Sequence, residues 1–331
     1  MHKPRVTVKD VARKAGVSVS AVSFALNDTG SIGESVKQRV REVARELGYR
    51  PNRSAQAMRT GKTWTLGLIL PDLRNPFFPE LAQSVENAAR EKGYAVFLVD
   101  TNVSTDIERE AIERLAQRGV DGILCFPTTQ ADTIAPYADE LPVVVMDREF
   151  DNYDRIIPDH RKGGLLQAEH ILEQGHRHIG LVTGPLDIDN MRLRRDGAVD
   201  TLTGQAEIVW EHENPFSANL IPAVLDSIKA RSVTAIIAGN DILAIAVIQA
   251  LGEAGIRVPQ DVSVVGFDDI PWCTVVSPPL TTIRLPIDGI GVEAVNMLLR
   301  RIDEPDAPRL TITMDVELIV RKSVVAPASP S

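Results

Sequence analysis

The chain has 331 residues, 44% of them hydrophobic, enough for more than one packed core. Its formal charge of −9 is unevenly spread: residues 1–63 hold thirteen Lys/Arg against five Asp/Glu, a balance of +8, and the rest carries −17. The two cysteines, Cys125 and Cys273, lack metal or disulfide spacing, the N-terminus MHKPRVTVKD lacks an apolar signal core, and no run of about 18 apolar residues occurs, so a disulfide framework, a zinc site, a secreted protein and a bilayer span are not expected.

A basic segment on an acidic body is the electrostatic footprint of a nucleic-acid reader with a separate second function. Within that segment Thr7 and Asp10 have the spacing of a capping box, and Val8, Val11, Ala12 and Ala15 follow on one helical face. Gly16 permits a sharp corner, Ser18 can cap a second helix, and Ala21, Val22, Ala25 and Leu26 give that helix an inward face. A third helix is expected over Glu34 to Leu47 from the spacing of Val36, Val40, Val43, Ala44 and Leu47. Three such helices form a helix-turn-helix head whose second helix enters the DNA major groove, with Val19, Ser20 and Phe24 exposed towards the bases.

Tyr49-Arg50-Pro51-Asn52 is a turn-prone joint, and RSAQAMRTGKT after it is helix-compatible but too short and too polar to be stable alone. Beyond Trp64 the rhythm changes. TLGLIL, YAVFLVD, GILCF and PVVVMD are short apolar runs separated by helical stretches such as FPELAQSVENAAREKG, which predicts βαβ units and a parallel sheet covered on both faces. A second series starts near Lys162 with GGLLQAEHILEQG, followed by HIGLVT, AEIVW, AIIAG and VSVVGFD.

Ligands of doubly wound sheets bind beyond the carboxyl ends of the strands. In this chain those ends carry Asp72, Asn75, Phe77 and Phe78, then Asp147 and Arg148, then Asn190, Arg192, Arg194, Phe216, Asn240-Asp241 and Asp268-Asp269. Carboxylates and guanidinium forks suit neighbouring hydroxyls, and aromatic rings can cover an apolar ring face, so the set describes a pocket for a sugar or nucleoside-like molecule. Asp269 equally suits a plain strand-end turn, Arg192 and Arg195 a solvated helix surface, and His176 and His178 a loop without a third metal ligand.

VTVKDVARKAGVSVSAVSFALN and LGYRPNRSAQAMRTGKT, followed in order by NPFF at 75–78, DG at 121–122, GHRHIG at 175–180, ND at 240–241 and VPQDVSVVGFDD at 258–269, resemble the lactose-repressor (LacI–GalR) family of bacterial transcription regulators. The resemblance implies an α/β protein: an N-terminal three-helix helix-turn-helix head plus a two-lobed, periplasmic-binding-protein-like core of doubly wound parallel sheets. The expected divisions are the head at 1–50, a hinge helix and linker at 51–63, and an effector-binding and dimerisation core at 64–331. Lobe one then takes approximately 64–160 and 287–314, and lobe two approximately 161–286 and 315–325.

By the same resemblance DNA contacts fall on Thr7, Ser18, Val19, Ser20, Ser23, Phe24, Asn27, Tyr49, Asn52, Arg53, Ala55, Met58 and Arg59. Met58 would wedge into the minor groove and kink the duplex; otherwise it is a plain linker residue. Ligand contacts fall foremost on Arg194 and Asp268, then Asn240, Asp147 and Phe216, with Asn75, Phe77, Phe78, Arg148 and Asn190 completing the pocket. Phe24 stands where many relatives carry a long polar residue, Gly33 where a Ser is usual, and the stretch from Asp200 to Phe216 is short, so the chain departs from the family pattern in its operator preference and in the pocket wall near Phe216.

The implied function is a dimeric, ligand-responsive repressor of a carbohydrate-utilisation operon, binding double-stranded operator DNA in the cytoplasm, with a small-molecule effector, no cofactor, no metal, no membrane and no catalysis. A sugar-binding protein or an enzyme on the same two-lobed fold is the alternative. The enzyme reading lacks a phosphate-loop, dinucleotide, nucleophile-elbow or zinc motif to support it.

Overall fold

In the computed structural model, which describes residues 6–27, 30–49 and 61–327, the chain divides into two units, 1–63 and 64–331. Helix α1 (Val8–Ala15) begins at the expected capping box: the Thr7 amide donates to Asp10 at 2.9 Å and the Asp10 amide to the Thr7 hydroxyl at 3.4 Å. Gly16 ends it in the left-handed region at φ 67°, which a residue with a Cβ adopts only at a cost. Helix α2 (Val19–Asn27) starts at Ser18, whose hydroxyl accepts from the Ala21 amide at 3.1 Å. Helix α3 (Glu34–Glu46) starts at Gly33 with no side-chain cap. Val11, Ala12, Ala15, Val22, Ala25, Val40 and Ala44 form the head's own core.

The second unit holds two six-stranded sheets. Its elements run β1 (Thr65–Leu70), α4 (Phe77–Glu91), β2 (Ala95–Asp100), α5 (Thr105–Gln117), β3 (Gly122–Cys125), β4 (Val143–Met146) and β5 (Asp154–Pro158), then α6 (His160–Glu173), β6 (His178–Thr183), α7 (Asp189–Leu202), β7 (Glu207–Glu213), α8 (Pro222–Ala230), β8 (Ala235–Ala238), α9 (Asp241–Glu253), β9 (Ser263–Asp268), β10 (Thr281–Arg284), α10 (Ile287–Asp303), β11 (Thr311–Met314) and β12 (Glu317–Ile319). The first sheet has the order β11-β5-β4-β3-β1-β2 and the second β12-β10-β9-β8-β6-β7.

Alternation along the strands puts Leu66, Leu68 and Leu70 on the face covered by α4 and α10, and Ile69, Ile123 and Cys125 on the face covered by α5. In the second sheet Ile179, Leu181 and Ile237 pack against α6 and α7, while Val182, Ile236 and Val264 pack against α9. The carboxyl ends of β1, β4, β6 and β9 lead into the residues that line one cleft between the sheets.

Two expectations need correction. The second sheet is not wholly parallel, because β12 pairs antiparallel with β10 at its edge. The run around β2 is not buried on both faces: β2 is an edge strand, and Phe97 and Leu98 stay 46% and 45% exposed. Four strands, β5, β10, β11 and β12, have no counterpart among the expected runs: DRIIP, TTIR, TITM and ELI mix polar residues or proline into three to five positions, whereas the equally short β3, β4 and β8 are unbroken apolar runs.

Candidate functional site

The head presents Val19 and Phe24 at 43% and 44% exposure on α2, with Ser20 also exposed. Phe24 lies against Gly30, where an added Cβ would sit 3.0 Å from the ring. Thr7 and Ser18 are occupied as caps, Ser23 is half-buried, and Tyr49 packs partly against the head core. The side chain of Asn27, together with Asn52, Arg53, Ala55, Met58 and Arg59, lies outside the described residues.

In the second unit a cavity of about 400 Å³ lies between the two sheets. All ten residues expected to contact a ligand line it: Asn75, Phe77 and Phe78 at the start of α4, Asp147 and Arg148 after β4, Asn190 and Arg194 on α7, Phe216 after β7, Asn240 before α9, and Asp268 at the end of β9. Asp147 and Asp268 have φ values of 66° and 113°, the left-handed region that non-glycine residues avoid. Strain of this kind persists where surrounding bonds impose it, and both carboxylates are bonded tightly.

Asp147 accepts from His160 Nε2 on one oxygen and from Asn190 Nδ2 and Arg148 Nη1 on the other, the last at 3.0 Å. Arg194 donates Nε to His160 Nδ1 at 3.2 Å and Nη1 to the Gly239 carbonyl at 2.8 Å, and pairs with Asp268 at 3.0 Å. Its guanidinium lies 3.7 Å above the centroid of Phe267. A chain of polar contacts therefore runs Arg148–Asp147–His160–Arg194–Asp268 along the cleft floor.

Burial opposes the charge of Asp147, but His160, Arg148 and Arg194 outweigh it and hold its carboxyl below the usual range. Burial pushes the Asp268 carboxyl up to about 6 against the pull of Arg194. Burial, helped by Arg194 and Arg148, lowers His160 against the pull of Asp147, which favours the uncharged ring. Among the described residues, two buried polar atoms of the cavity wall have no protein partner: the Nε–H donor of Arg148 and the Oδ1 acceptor of Asn190. The side-chain oxygen of Asn240 caps α9, accepting from the Leu243 amide at 2.9 Å.

Other singled-out residues have structural duties. Asp241 is wholly buried, accepts from the Ile270 amide at 2.9 Å and the Thr282 hydroxyl at 2.6 Å, and is absent from the cavity lining. Asp269 holds Arg284 at 2.7 Å and Arg321 at 2.6 Å. Asp72 bonds Arg74, Arg192 pairs with Asp189, and Arg195 pairs with Glu211. His176 bonds the Thr234 hydroxyl and the Val325 carbonyl, and His178 points to Glu207 at 3.8 Å. Among the described residues no three His, Cys, Asp or Glu side chains gather as a metal site, and no helix is long and apolar enough to cross a membrane.

Sequence reasoning missed His160, Phe126 and Trp272. Phe126 makes edge-to-face contacts with Phe77 and Phe78 at 6.2 and 5.0 Å between centroids. Trp272 lines the cavity yet stays 47% exposed. The polar step DH directly after the β5 run IIP was the one available signal for His160.

Two family models match separate parts of the chain. Residues 7–52 match the family described as bacterial regulatory proteins, lacI family, and residues 168–324 match the periplasmic binding protein-like domain. The chain is 36% identical to the HTH-type transcriptional repressor PurR of Aliivibrio fischeri (strain ATCC 700601 / ES114), covering 96% of this chain and 98% of that protein. It is 33% identical to the ribose operon repressor of Escherichia coli (strain K12), over 96% of this chain and 99% of the relative. Among solved structures, the lac repressor dimer bound to operator and the anti-inducer ONPF superposes with a TM-score of 0.83 at 28% identity, covering 97% of this chain and all of that one.

Proposed function

The chain belongs to the lacI family of bacterial regulatory proteins and is a ligand-responsive, DNA-binding transcriptional repressor, and on that premise we propose that its effector is a small neutral polyol, a monosaccharide of the ribose type, bound in the cleft between the two sheets. The relatives by themselves do not select the effector: the repressor PurR at 36% and the ribose operon repressor at 33% are almost equally similar. The chemistry of the cleft supports the sugar.

The observation that carries the reading is the pair of unpartnered buried atoms, a donor on Arg148 and an acceptor on Asn190. A buried polar atom without a partner costs about 1–3 kcal/mol, and sugar hydroxyls, which donate and accept, relieve both. The ionic set supports the same choice. Asp147 and Asp268 balance Arg148 and Arg194, so no surplus cation awaits a phosphate, and a neutral ligand enters without adding charge. Phe77, Phe78 and Phe126 meet edge to face, with interplanar angles of 72–86°, and hold one another in place as an apolar wall.

On the DNA side, the reading assigns major-groove contacts to Val19, Ser20 and Phe24, positioning contacts to Thr7, Ser18, Ser23, Asn27 and Tyr49, and hinge contacts to Asn52, Arg53, Ala55, Met58 and Arg59. Two heads on a twofold axis then read two half-sites of a pseudo-palindrome. The protein acts in the cytoplasm, where the operator is, and the effector operon is one for carbohydrate use. Repressor activity needs no catalysis, and the named relatives are repressors.

Isothermal titration of the full chain with D-ribose and other neutral monosaccharides, and in parallel with hypoxanthine and guanine, tests the effector. Saturable heats are expected for a sugar. Binding of a purine base with none for any sugar refutes the assignment. Operator binding to a fragment from upstream of the gene is expected to weaken steeply with salt, each neutralised phosphate contributing about −0.9 to the log–log slope.

A further inference from the structure

His160 is the first residue of α6, the helix by which the chain leaves the first sheet and enters the second. Its two ring nitrogens face opposite ways. Nε2 meets Asp147, which follows β4 of the first sheet, and Nδ1 accepts from Arg194 Nε on α7, packed on the second sheet, at 3.2 Å. The ring is buried and lies 6.0 Å from the Phe267 ring, the same ring that supports the Arg194 guanidinium. Since Arg194 can only donate and Asp147, ionised, can only accept, the proton must sit on Nε2 and Nδ1 must keep its lone pair.

We propose that His160 is a positioning residue that holds Asp147 and Arg194 in register across the cleft, that it does so only as the neutral Nε2–H tautomer, and that effector binding weakens when this one ring is protonated. The inference rests on the cleft being the effector site. Protonation places an N–H of His160 against the N–H of Arg194, so a hydrogen bond becomes a contact between two donors and two cations. Arg194 must then move, and Asp268 loses the guanidinium 3.0 Å away.

Among the described residues, the charged groups that act on the ring are Asp147 and Arg148 from the end of β4 and Arg194 from α7, with Asp268 paired to Arg194 at the end of β9. On its own helix Asp159 caps the Lys162 amide, Arg161 pairs with Asp200, and Lys162 reaches Asp315 beside β12, all away from the imidazole. Asp268, with its carboxyl raised to about 6, takes up a proton in acid as well. Acid therefore acts through two groups, and the experiment has to separate them.

Two variants do so. His160→Gln offers an amide N–H and an amide oxygen, and neither titrates; His160→Ala offers nothing. With D-ribose as the probe, dissociation constants are measured by titration calorimetry for the full chain and both variants between pH 5 and pH 8. At pH 7.5 His160→Ala is expected to bind roughly ten- to a hundredfold more weakly, the range for a lost hydrogen bond to a charged group, while His160→Gln recovers most of the loss. Below pH 6 the wild-type affinity is expected to fall more steeply with acid than that of His160→Gln, by about one proton. Equal acid slopes, or an unaltered affinity in His160→Ala, overturn the proposal.

A second measurement does not depend on the sugar. Nitrogen chemical shifts of the ¹⁵N-histidine-labelled full chain, with His160 assigned by comparison with His160→Gln, report tautomer and protonation directly. A neutral Nε2–H ring at pH 7 is expected, and a protonated ring or the opposite tautomer overturns the proposal whether or not ribose binds. Failure of D-ribose to bind the wild type, with this ring signature intact, sinks the sugar assignment and leaves the His160 bridge standing.

Discussion

Replacing Arg194 by Ala strikes the cleft at its most connected point, and its cost depends on pH in a way that other defects would not copy. Arg194 holds Asp268 at 3.0 Å, Gly239 at 2.8 Å and His160 at 3.2 Å, all buried. Removing one member of a buried ion pair costs about 3–5 kcal/mol because the other charge is left unpaired. The sign of the pH dependence follows from Asp268, whose folded pKa of about 6 already exceeds the ordinary carboxylate value. A buried carboxyl with a raised folded pKa keeps a proton that the unfolded chain has released. Its penalty is absent below the unfolded pKa and complete above the folded one, so stability falls as pH rises between them.

Without Arg194 the folded pKa climbs further, and the penalty extends through neutral pH. At pH 7.5 Arg194→Ala is expected to lose about 3–5 kcal/mol. At pH 5 Asp268 is protonated in the folded variant, and the loss shrinks to that of the neutral hydrogen bonds, about 1–2 kcal/mol. Urea unfolding of the full chain and the variant at both pH values, followed by circular dichroism, measures the difference. A loss that is equal at the two pH values, or larger at pH 5, refutes the linkage through Asp268.

Three other outcomes are expected. Gly164→Ala places a Cβ 1.9 Å from the Arg194 carbonyl oxygen, a backbone atom that cannot yield without separating α6 from α7; a loss of about 1–3 kcal/mol with weakened sugar binding should appear in paired melts and titrations, and an unchanged melt argues against the contact. Arg148→Lys keeps the cation beside Asp147 but removes the unpartnered Nε–H, so ribose affinity should drop about tenfold while thermal stability stays near wild type; an unaltered affinity removes Nε from the site. Phe97→Asp, on the exposed edge strand β2, should shift the chain from dimer to monomer in sedimentation if that apolar patch meets a second copy, and a dimer that persists assigns the interface elsewhere.

The head was legible residue by residue because its signals are local. A capping box, a positive-φ glycine and a second cap mark two helices within twenty residues, and the apolar spacing supplies the core. The central strands were equally legible, since β1, β3 and β4 are buried on both faces and read as unbroken apolar runs. The run YAVFLVD looks the same in sequence, yet β2 is an edge strand with half-exposed side chains; an apolar run states that a strand is favourable, not how many neighbours it has. Strand-end polar residues could be named in advance because a doubly wound sheet delivers its carboxyl ends to one side.

What tertiary structure alone decided was how those residues bond. Asn240 and Asp241 are adjacent in sequence, but one caps α9 beside the cavity and the other anchors Thr282 and Ile270 inside the second sheet's core. Both oxygens of Asp147 prove to be taken by protein donors, and the atoms left open are on its neighbours Arg148 and Asn190. His160 carries no motif of its own. It joins the cleft because Gly164 and Gly197, each lacking a Cβ that would overlap the opposite backbone, let α6 and α7 touch and bring Arg194 within hydrogen-bond reach of its ring. Local propensity acts over a few residues, whereas a contact between two helix backbones depends on the close packing of the whole lobe.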